Sequence, residues 1–99
     1  MSKIKNKYIN RTAHFRRRWR LTQKQVLLLM GKEERSRLWD LEAGRSLPSL
    51  KTAFKLSAIF RVPVEFLYPD LYAGLRETIR KREAGMPHGQ QGILPLFGP

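Results

Sequence analysis

The chain has 99 residues, 41% of them hydrophobic, with a formal net charge of +12 and no cysteine. A chain of this length sets the expectation of one small domain. The missing thiols exclude disulfides and thiolate metal sites and suit a reducing compartment. The longest unbroken apolar run, Val26 to Met30, is far short of the ~20 residues that span a bilayer. The N-terminus lacks the apolar segment of a secretory signal, so a soluble cytoplasmic protein with no membrane partner is expected. The charge is also uneven. Lys3, Lys5, Lys7, Arg11, Arg16, Arg17, Arg18 and Arg20 meet no acid in the first 20 residues. A one-sided basic segment is the footprint of a polyanion binder.

Residues 1–9, "MSKIKNKYI", are basic and weakly patterned and read as a flexible arm. Asn10 is positioned to cap a first helix running to about Trp19, with Thr12, Phe15 and Trp19 at helical spacing. Thr22 is an N-cap for a second helix, and Gln25 three residues on completes a capping box. Val26, Leu29 and Met30 form its apolar stripe. Gly31 stops it, since glycine takes positive φ without a Cβ clash.

A third helix is predicted from about Arg35 to Ala43. Leu38, Leu41 and Glu42 face inward, and Ser36, Arg37, Trp39 and Asp40 outward, before Gly44 ends the helix. Ser49 caps a fourth, with Leu50, Ala53, Phe54, Ser57 and Phe60 at i, i+3, i+4 spacing. Val62 and Pro63 break it, and Val64, Phe66 and Leu67 make one further turn. Pro69 or Asp70 opens a last helix, with Leu71, Leu75 and Ile79 on its apolar side and a Glu77–Lys81 pair. Residues 85–99 hold four glycines and three prolines and read as a disordered tail, with "ILPLF" as an apolar hook. The division expected is an arm at 1–9, a helical domain at 10–68, an extra helix at 69–84 and the tail.

Read in order, "LTQKQV", Gly31, "LWDLEAG" and "LPSLKTAFKLSAIFRVPVEFL" resemble the phage-repressor-like helix-turn-helix family, the Xre or Cro type, over about residues 12–67. The resemblance implies an all-α fold: a compact five-helix repressor-like DNA-binding domain, here with a C-terminal extra helix and flexible ends. It implies that the second helix lies across a DNA backbone and the third enters the major groove of double-stranded DNA. Carried onto this chain, the DNA-binding positions are Thr22, Gln23, Lys24, Lys32, Arg35, Ser36, Arg37, Asp40 and Arg45. Arginine can grip guanine through O6 and N7, and a carboxylate can accept from a cytosine amino group. The helix-two N-terminus offers free N–H groups to phosphate.

The resemblance also implies a structural bridge between Arg16 and Glu42. Glu33 and Glu34 open the third helix, where the dipole favours acids and where they would repel phosphate. Three departures stand out. Leu27 replaces a small residue, the turn after Gly31 is one residue longer, and Arg20 and Arg61 stand where glycine is frequent. Both arginines are therefore expected in left-handed or otherwise strained turns.

The leading functional reading is a sequence-specific DNA-binding transcriptional regulator, a repressor, nucleoid-associated in the cytoplasm. Its last helix, with Tyr72, Leu75 and Ile79, is either a homodimer surface or a cover for the core. The alternative is an antitoxin-like module that binds a protein partner and its own promoter. An RNA-associated protein ranks last, because no exposed aromatic platform is legible. An enzyme is not expected. His14 and His88 are the only histidines, and no catalytic set, metal-ligand cluster or cofactor motif accompanies them.

Overall fold

A computed structural model describes residues 7–31 and 35–87. For Arg35 and Ser36 it describes the backbone alone. The described residues form six helices and no strand: α1 (Thr12–Arg18), α2 (Gln23–Met30), α3 (Arg35–Glu42), α4 (Leu50–Phe60), α5 (Val64–Leu67) and α6 (Pro69–Ala84). None is long and apolar enough to cross a membrane.

The helix ends follow local chemistry. Thr22 accepts from the Gln25 N–H at 3.1 Å, and the Thr22 N–H donates to the Gln25 side chain at 2.9 Å, so the capping box is complete. Gly31 leaves α2 at φ 111° and Gly44 leaves α3 at φ 79°. Ser49 accepts from the Thr52 N–H at 3.2 Å. Proline opens α6 at its first turn, where no N–H is needed. Arg20 and Arg61 both lie at φ 57°, the left-handed region that costs an L-residue about 1–2 kcal/mol.

One helix start departs from expectation: the N-cap of α1 is Arg11 rather than Asn10, with no side-chain bond from the cap residue. α1 ends at Arg18 with Trp19 as its cap, where Arg20 turns left-handed and its N–H donates to Arg17 O at 2.8 Å. Asn10 does accept from the Thr12 N–H at 3.0 Å. It also donates to Leu41 O and Tyr8 O, both at 2.8 Å. With Tyr8 N–H donating to Gly44 O at 3.0 Å, this pins the chain entering α1 against the end of α3. The rest of the expected arm, and the tail from 88 onward, lie outside the described residues.

The core is built where α2, α3 and α4 meet, with Val26, Leu38, Leu41, Leu56, Phe60 and Leu67 all essentially buried. Each such side chain contributes about 1.5–3 kcal/mol by leaving water. Two stripes are rotated from the sequence reading. On α2 the buried set is Val26, Leu27 and Met30, while Leu29 is 62% exposed. Leu27 and Leu29 flank the Val26–Met30 line on opposite sides, so periodicity cannot choose between them; the positions of α3 and α4 do. On α4 the buried set is Ala53, Leu56 and Phe60, while Leu50 and Phe54 are 70% and 59% exposed. The packed face is turned roughly 60° around the helix from the stripe expected, toward Leu56. The last helix buries nothing: Leu71, Leu75 and Ile79 all remain exposed.

Tyr68, between α5 and α6, carries one testable irregularity. Its hydroxyl and that of fully buried Thr12 both lack a well-formed hydrogen bond. Burial pushes the phenol from 10.0 up to about 12, with the Thr12 side chain opposing slightly. A raised folded pKa means the native state holds its proton longer than the unfolded chain. The associated stability is therefore intact below pH 10 and lost as pH climbs toward 12. Tyr68→Phe removes an unsatisfied buried hydroxyl and should stabilise the domain by about 1 kcal/mol. It should also abolish this alkaline loss, as urea midpoints at pH 8 and pH 11 would read. An unchanged alkaline loss in the variant contradicts the assignment.

Candidate nucleic-acid interface

The α2–turn–α3 unit is held from beneath by one carboxylate. Arg16 on α1 donates from Nε and Nη2 to the two oxygens of Glu42 at 2.6 and 3.2 Å. Gln23 on α2 donates from Nε2 to the same carboxylate at 2.9 Å. Arg16 also donates to Leu21 O at 3.0 Å, which fixes the α1–α2 turn. The Arg16 and Glu42 side chains are 15% and 7% exposed, so the pair sits mostly out of water and gains from the lower dielectric. The expected bridge is present. Glu42 thus ties α1, the start of α2 and the end of α3 into one body.

The DNA-binding candidates divide. Thr22 stays exposed while its hydroxyl oxygen accepts the cap bond, and Gln23 commits one amide N–H to Glu42. Lys24 is exposed beside them. Arg37 is exposed on α3 and makes no ion pair with any described residue. Asp40 and Arg45 meet each other: the guanidinium donates to the carboxylate at 3.0 Å, with both side chains near half exposed. The Arg45 guanidinium also lies over the Trp39 ring at 4.7 Å. Asp40 therefore serves first to orient Arg45, and Trp39 is a shelf for it. Lys32 lies outside the described residues, as do Glu33 and Glu34, and so do the side chains of Arg35 and Ser36.

Two supporting contacts were not legible in the sequence. Lys55 on α4 donates from Nζ to Met30 O, the last carbonyl of α2, at 2.8 Å. A cation there suits the negative helix end. Asn10 fastens the entering chain to Leu41 O. Both contacts join residues far apart in sequence, and no local pattern announces them.

No protein family, curated protein or solved structure matches this chain. The function therefore rests on the residues themselves.

Proposed function

We propose that the chain is a sequence-specific double-stranded DNA-binding transcriptional regulator, a repressor-like helix-turn-helix domain formed by α1–α5 with α6 appended. The observation that carries this reading is the braced α2–α3 pair. Glu42 ties both helices to α1 through Arg16 and Gln23, and the outward side offers Arg37 and Arg45. A rigid scaffold under exposed guanidiniums suits base-edge readout, which needs donors held in place. The basic arm at residues 1–9 supplies the salt-sensitive, sequence-independent share of affinity.

The exposed α6 leucines favour a homodimer through that helix, which would set two half-sites about one DNA turn apart. They also keep the antitoxin-like reading alive, with a protein partner on the same helix. Selection of a randomised duplex library on the purified protein, at two salt concentrations, tests the proposal. The expected result is an enriched motif at both. Random bound sequences, with binding lost on raising salt, would sink specific readout and bring the protein-partner reading forward.

A further inference from the structure

A second surface, away from α2 and α3, has its own chemistry. A groove of about 630 Å³ runs between the end of α1 and the α4–α5 connection, lined by Arg11, His14, Arg18, Trp19, Arg61 and Phe66 among others. A neighbouring groove of about 440 Å³ shares Arg11 and Phe66 and continues onto α6 to Tyr72 and Arg76. No residue of α2 or α3 lines either one.

Rings and cations alternate along this track. Arg61 lies over Trp19 at 4.7 Å, Arg11 over Phe15 at 5.5 Å and Arg76 over Tyr72 at 5.5 Å. Trp19, Phe66 and Tyr72 are 44%, 54% and 46% exposed. This is the aromatic platform that periodicity alone did not reveal. None of Arg11, Arg18, Arg61 and Arg76 pairs with a carboxylate among the described residues. Glu65 stands at the second groove as the acid on its wall. Desolvation and then the cations Arg11, Arg18 and Arg17 hold the His14 imidazole below its ordinary value, which fits a strongly positive local field.

We infer that this track binds single-stranded nucleic acid, with unstacked bases on Trp19, Phe66 and Tyr72 and phosphates on Arg11, Arg18, Arg61 and Arg76. Exposed rings interleaved with guanidiniums match a chain that offers a flat π-face and an anion in each unit. Duplex DNA keeps its bases stacked and gives the rings nothing to hold. An acidic peptide supplies the anions without the flat rings.

The test uses the full chain. In Trp39→Phe, Trp19 is the sole tryptophan, and a short oligothymidylate or oligouridylate should quench its fluorescence saturably. The two oligonucleotides distinguish a DNA from an RNA preference. Polyglutamate of equal length should bind far more weakly. The double variant R18Q/R61G should weaken oligonucleotide binding at least tenfold. It should also lower the slope of log affinity against log salt by about 1.4, the release expected from two phosphates on a single strand. Arg61→Gly suits the left-handed position, and the melting curve checks that the fold is retained. If the double variant melts early, the Trp19 quench decides alone.

With Trp39 retained, R18Q/R61G should select the same duplex motif as the parent, so failure here and failure of the α3 reading are separable. The inference is overturned by an absent quench with both oligonucleotides or by equal binding of polyglutamate. It is also overturned by unaltered affinity in R18Q/R61G, which would assign binding to the basic arm at residues 1–9, or by a parallel loss of the duplex motif.

Discussion

Glu42→Ala should lower the stability of the domain by about 3 kcal/mol, the cost typical of stripping one partner from a largely buried ion pair. The loss has three parts. Arg16 keeps its charge in a site where its side chain is 15% exposed but loses both carboxylate bonds. Gln23 loses the acceptor for its amide. The end of α3 loses its tie to α1. Urea unfolding measures the total, and a cycle with Arg16→Met isolates the pair. The double variant should be less destabilised than the two single changes added together, because the second change relieves an uncompensated charge. A Glu42→Ala cost below about 1 kcal/mol, the range of exposed pairs, would show that the bridge does not brace the fold.

Arg37→Ala should leave stability nearly unchanged, as expected for an exposed side chain without an ion pair among the described residues, yet alter DNA selection. If Arg37 meets a guanine edge, its loss costs about 1–3 kcal/mol at one base pair, or roughly 5- to 150-fold in affinity for the selected site. Affinity for random duplex should change far less, and the preference at that base pair should relax. An equal loss on selected and random duplex would instead place Arg37 on phosphate. No change on either would remove it from the interface. Arg45→Ala gives the contrast. Stacked on Trp39 and paired with Asp40, Arg45 fits a backbone contact better, and its loss should weaken all duplexes alike.

The helix count and most helix ends were legible because they are local. The Thr22 and Ser49 caps, the Gly31 and Gly44 stops, and the left-handed strain at Arg20 and Arg61 each depend on a few adjacent residues. The Arg16–Glu42 bridge was legible only through the family resemblance, since nothing local joins residues so far apart. The buried faces were harder. Leu27 against Leu29, and Leu56 against Phe54, are choices between adjoining stripes of one helix. Both stripes are apolar enough to pack, so only the neighbouring helices decide. The same limit hid the ring-and-cation track. Trp19, Phe66, Tyr72 and their arginines come from α1, α4–α5 and α6, and no window of sequence holds them together.

By itself, then, the sequence determined an all-helical chain, its punctuation and its lopsided charge, because capping, glycine stops and net charge act over short range or by simple sum. The tertiary structure decided which stripes became core, that Gln23 turns inward to Glu42, that Asp40 is committed to Arg45, and that α6 keeps its leucines exposed. Those outcomes depend on which helices meet, and that is settled by packing among residues distant in the chain.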